Sequence, residues 1–173
     1  MSIQNLAPQL VVGESTGTIL LESADDFRCA INRMAEQAVR SVRIFTQELD
    51  HDLYDHPDFL EIASSVCRQR RNCTLQILLK NADKASRLGH RLVELQKRLP
   101  SSIEIRSLPE EYEETNDEFF LVDDIALVKR FAIGYMRGHC EFRSIPDAVK
   151  KARWFGEVWE RSEPCQELRR LSL

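Results

Sequence analysis

Asn116, Glu118, Asp123 and Lys129 gather an amide, two carboxylates and an ammonium around one short apolar run, Phe119-Phe120-Leu121-Val122. Carboxylates at such positions can shift protons or hold cations, and a lysine can hold an anion. An amide has no basic lone pair near neutral pH, so Asn116 can orient a ligand but cannot act as a nucleophile. A second concentration of reactive types lies in the polar loop Glu48 to Pro57, with Asp50, His51 and Asp52 followed by Asp55 and His56. Its spacing matches no defined metal motif, and a solvated loop leading into a helix explains it, so no metal and no cofactor is expected. Loops after strand ends are nonetheless where α/β proteins place ligands, which makes Asp50, His51 and Asp52 the second candidate site. His90 reads as a surface residue beside an apolar stripe. His139 next to Cys140 has no third partner for nucleophilic chemistry. Arg68, Arg70 and Arg71 read as solvated cations at a helix end.

The elements that must position these groups follow from periodicity. Residues 1–17 read as a flexible leader. Thr18 to Glu22 is a strand, and Ser23 caps a helix whose Phe27, Ala30, Ile31, Met34, Ala35 and Ala38 make one buried stripe. Ser41 to Thr46 is a strand, Asp58 to Arg70 a helix, and Cys73 to Leu79 a strongly alternating strand. A helix over Asp83 to Arg98 is stopped by Pro100, and Ile103 and Ile105 mark a further strand. Glu118 to Val122 and Ile125 to Phe131 then flank Asp123-Asp124 as a tight hairpin, with Gly134 and Gly138 as turns around a last short strand. Pro146 opens a final helix with Ala148, Ala152, Phe155 and Trp159 on its core face. Trp154 lies about 140° around that helix from Trp159, so one ring is core and the other partly exposed. The alternation predicts a single α/β domain over 18–162, with a mixed, mostly parallel central sheet and helices on both faces, and a tail over 163–173.

The stretch from Asn116 to Asp123 resembles the motif of phospholipase D-like enzymes: His, any residue, Lys, four residues, Asp, beginning just before a strand and running into a hairpin. Asn116 stands where that family has its nucleophilic His, Glu118 where it has Lys, and Asp123 where it has Asp. The Gly-Ser pair that often follows is replaced by Lys129-Arg130-Phe131. The order of elements from Leu20 to Trp159 is similar too. The chain thus resembles one half of a phospholipase D-like fold, in a small bacterial family that lacks the catalytic His and Lys. In the enzymes the resemblance points to, the His attacks phosphorus and the Lys holds the phosphate oxygens. A carboxylate in the lysine's place would repel a phosphate by about 4 kcal/mol at 4 Å and an effective dielectric near 20. The resemblance implies a lost activity and, since such halves pair about a two-fold axis, a homodimer.

Two readings of Glu118 stand side by side. If Asp123 and Asp124 form a two-residue turn, Val122 faces Ile125 and Glu118 falls opposite Lys129 as a cross-strand ion pair. Otherwise Asn116 and Glu118 line a retained ligand site.

The bulk properties limit the function classes. The chain has 173 residues, a net charge of −4 and 43% hydrophobic residues, which suits one folded domain and disfavours a general nucleic-acid binder. No apolar run approaches the roughly 18 to 20 residues that span a bilayer. Met1 to Gly13 carries no Lys or Arg and so lacks a basic signal start. Cys29, Cys67 and Cys73 read as small hydrophobes in a reducing, cytoplasmic setting. The expected function is that of a non-catalytic interaction or ligand-binding module, with a protein partner left open. The alternatives are an enzyme with a repurposed cleft around Asn116, Glu118, Asp123 and His51, and a nucleic-acid-associated protein using Arg68 to Arg71.

Overall fold

The computed structural model describes residues 2–131 and 135–169. Residues 2–17 are packed, contrary to the expectation of a flexible leader. Helix α1 (Ile3–Leu6) and a 3₁₀ turn (Ala7–Gln9) bury Ile3 and Ala7 in the core. Arg33 and Gln37 donate to Leu10 O, and Gly13 N donates to Phe142 O, so the backbone is tied down by partners that no local pattern reveals.

Strand β1 (Ile19–Leu21) leads into α2 (Ala24–Ala35), capped as expected by the Ser23 hydroxyl, which accepts from Asp26 N at 3.1 Å. Strand β2 (Ser41–Thr46) is followed by a short α3 (His51–Tyr54) inside the polar loop, then α4 (Pro57–Gln69) and β3 (Thr74–Leu79). The helix expected over Asp83 to Arg98 is broken into α5 (Asp83–Leu88) and α6 (Arg91–Arg98). Gly89 supplies the break with φ +75, and His90 caps α6 through Nδ1, which accepts from Leu92 N. His90 is therefore buried at 4% exposure, a correction to its reading as a surface residue. Strand β4 (Ile103–Ser107) precedes the hairpin of β5 (Glu118–Val122) and β6 (Ala126–Arg130), then β7 (Gly138–Glu141) and α7 (Ile145–Arg161). Residues from 163 form more than a tail: β8 (Glu163–Pro164) pairs with β4, and Cys165 and Leu168, the latter on α8 (Gln166–Arg169), are buried. Gly134 lies outside the described residues.

The strands make one sheet in the order β1-β7-β6-β5-β2-β3-β4-β8. It is mixed, with parallel pairing confined to β2–β3 and β3–β4; the other neighbours are antiparallel, and of these β5–β6 and β6–β7 are joined by short connections. Ile44, Ile77, Phe120 and Val122 face α2 and α4, while Phe45, Leu78, Phe119 and Leu121 face α7. On α7, Ala148, Ala152, Phe155 and Trp159 are buried as expected, and Trp154 is partly buried. All five cysteines are unpaired thiols. Among the described residues no helix is long and apolar enough to cross a membrane.

Candidate functional site

Register decides what surrounds Glu118. Asp123 and Asp124 form the turn, both in the left-handed region at φ 54 and 57, and Ile125 N donates to Val122 O. Ile125 is then an extra residue: its carbonyl accepts from Ser144 N, and Val122 pairs with Ala126 instead. The ladder slips by one, so Glu118 lies opposite Arg130, and Lys129 lies opposite Phe119 on the other face of the sheet. The expected ion pair to Lys129 is thereby corrected to one with Arg130, Nη1 to Oε2 at 3.3 Å.

Glu118 is buried and its acceptors are filled. Oε1 accepts from the Thr46 hydroxyl at 3.2 Å and from Gln47 N at 2.8 Å. Arg130 also reaches Asp50 Oδ2 at 3.0 Å, so one guanidinium joins the two candidate sites through a pair of carboxylates. Leu49, at φ 58, turns the chain between Gln47 and Asp50; its N donates to Thr46 Oγ1 and its carbonyl lies 3.0 Å from His90 Nε2. Tyr54 closes the site from α3. Burial first, then the charges of Glu118 and Asp50, hold its hydroxyl in the protonated form far above the usual tyrosine range. The space left among these groups is about 20 Å³, room for a water molecule and little more.

The other predicted residues are dispersed. Asn116 is exposed, and its side-chain oxygen accepts from Lys80 Nζ at 3.2 Å. Asp123, at the far end of β5, accepts from Val39, Arg40 and Ser41 N and so fixes the start of β2, a structural duty. His51 turns toward Gly89 O at 2.8 Å and lies against the His90 ring, and the Asp52 carbonyl accepts from Arg28. No group of three metal-ligating side chains occurs among the described residues. Arg130, Thr46, Gln47 and Tyr54 were missed by the sequence reading. Arg130 alone had a signal, as a cation in the hairpin one position from the one chosen.

The model of the family described as Domain of unknown function (DUF7931) matches residues 23–171. The chain belongs to that family. No curated protein matches this DUF7931 chain in sequence. In structure it is similar to Nuc from Salmonella typhimurium, a phospholipase D family member, with TM-score 0.64 and 10% identity over 87% of this chain and 99% of that one. NucT from Helicobacter pylori gives 0.62 and 13% over 87% and 100%. TrmBL2, an archaeal chromatin protein whose structure shows a mode of DNA binding, gives 0.62 and 12% over 94% of this chain. The chain spans 59% of TrmBL2's length. The DUF7931 domain here thus has a phospholipase D-like fold.

Chemically, the DUF7931 site is a compact knot in which one guanidinium bridges two carboxylates. A buried carboxylate with filled acceptors and a guanidinium at 3.3 Å has little free valence for a ligand.

Proposed function

We propose that this domain is a phospholipase D-like module that has lost phosphodiester chemistry and works by binding. One observation carries the reading: the carboxylate of Glu118, in the seat of the family's lysine, is locked by Arg130, Thr46 and Gln47 in a space too small for a phosphate. Arg130 itself comes from the region where the family's Gly-Ser pair often lies, and its side chain lines the small space beside Glu118. Asn116, in the seat of the nucleophile, is held by Lys80 at the surface. A chromogenic phosphodiester tests the proposal. No turnover above buffer is expected, and turnover that Asn116→Ala abolishes would overturn it.

A nucleic-acid-associated reading draws on the likeness to the archaeal chromatin protein and on the exposed Arg70 and Arg71. Affinity for DNA that is indifferent to added salt would count against it. The same proposal places the chain as a homodimer in the cytoplasm, supported by the resemblance and by five unpaired thiols.

A further inference from the structure

The face of the sheet served by α7 carries a cleft of about 380 Å³ that the Glu118 knot does not touch. Its floor is apolar, formed by Phe45, Phe119, Leu127 and Trp154, and its rim carries Lys129, Lys150 and Lys151. The slip at Ile125 is what turns Lys129 to this side, directly across from His139 on β7.

Charge at the rim is only partly compensated. Lys151 is held by Asp117 at 3.1 Å and lies over the Phe119 ring, and His139 Nε2 faces Glu141 at 3.9 Å. Lys129 is half-buried and Lys150 exposed, and neither side chain has a hydrogen bond or ion pair among the described residues. Asp147 is the one rim carboxylate in the same condition. A partly desolvated ammonium beside a histidine, in a chain of net charge −4, is a local reversal of sign that an anion would relieve. The aromatic surface is also present. Trp154 is seated against Phe45 and Phe119 with centroids at 5.0 and 5.9 Å, and Phe131, 55% exposed, leans on His139 at 5.5 Å.

We propose that this cleft binds a nucleoside phosphate, with the phosphate on Lys129 and Lys150 and the base against the aromatic surface beside them. A bare phosphate would satisfy the lysines and leave the aromatic floor idle. A nucleic-acid chain would need the basic track to continue, whereas Asp117, Asp147 and Glu141 interrupt it. Arg68 lies in the last turn of α4 and Arg70 and Arg71 follow it, and α4 packs on the opposite face. The volume lies within the roughly 300–1,000 Å³ of small-molecule sites. The proposal stands on the cleft alone, whether or not the Glu118 seat is silent.

Calorimetric titration of the full chain with adenosine monophosphate, inorganic phosphate and adenosine tests it. The nucleotide is expected to bind, with each fragment weaker by about tenfold or more, and added salt is expected to weaken it. Lys129→Ala and Lys150→Ala are each expected to cost about tenfold, and Arg70→Ala nothing. Lys150 is exposed, so its variant decides the matter if Lys129→Ala fails to fold. Absence of heat at millimolar nucleotide, equal binding of phosphate and nucleotide, or indifference to both lysines would overturn the proposal. So would an oligothymidylate that binds more tightly than the nucleotide and is lost in Arg70→Ala.

Discussion

Each nitrogen of the His90 ring has one partner: Nε2 donates to Leu49 O at 3.0 Å, and Nδ1 accepts from Leu92 N at 3.1 Å. That pair of bonds assigns the neutral ring with its proton on Nε2. Burial first, and then the neighbouring His51, lower its pKa from 6.5 to about 4, against the opposing pull of Asp55. The unfolded chain takes up a proton near 6.5 while the folded chain resists until about 4. The stability this ring contributes is therefore whole above pH 6.5 and is lost as pH falls toward 4, at about 3 kcal/mol in all. Urea unfolding of the wild type should accordingly weaken between neutral and mildly acid pH more steeply than that of His90→Asn. Parallel pH slopes for the two would remove the assignment. Nothing in the local sequence shows this ring as buried, because Gly89 and Arg91 flank it and its cover comes from the β2–α3 loop. Glu118 and Asn116, by contrast, are legible from the sequence as a carboxylate and an amide, chemistry that no fold can change.

Strand pairing works on a finer margin than strand existence. The apolar runs of β5 and β6 are plain in the sequence, and so is the turn between them, since Asp tolerates the left-handed region better than most residues. The extra residue at Ile125 is not, because its cause is a hydrogen bond from Ser144, nineteen positions on. That single residue hands Glu118 to Arg130 and Lys129 to the α7 face. The β6–β7 pair has a matching constraint at Gly138, where a Cβ would lie 1.9 Å from Lys129 O. Backbone cannot yield by that much, so Gly138→Ala is expected to cost about 3 kcal/mol or more, read as a lowered thermal midpoint or as insoluble protein. A variant that melts with the wild type would show that β7 does not run so close. The break at Gly89 is a similar lesson: the apolar stripe continues across it, so periodicity reads one helix where two exist.

At the scale of the whole molecule, α2 and α4 cover one face of the sheet and α7 the other, while residues 2–17 and 163–169 are drawn into the fold. Residues 2–17 contribute a fully buried Ile3 and several backbone acceptors for α2. Deleting residues 1–12 should therefore destabilise the domain by about 3 kcal/mol, the scale of one large apolar side chain with its hydrogen bonds. Urea denaturation measures this, and an unchanged midpoint would return the segment to the status of a loose leader. The uneven cover also explains why the open cleft lies on the α7 side. A single helix shields the middle strands and leaves Lys129 and His139 beside it partly exposed.

The sequence by itself determined the α/β class, most of the elements, the alternation that fills both layers of the core, and the amide and carboxylate at positions 116 and 118. Those properties are local: a period of two or of 3.6 residues, or the identity of one side chain, needs no distant partner. Tertiary structure decided the rest. The Thr46 bond to Glu118 spans 72 positions and the Arg130 bond to Asp50 spans 80, and a slip of one residue in pairing exchanges the faces on which such partners meet.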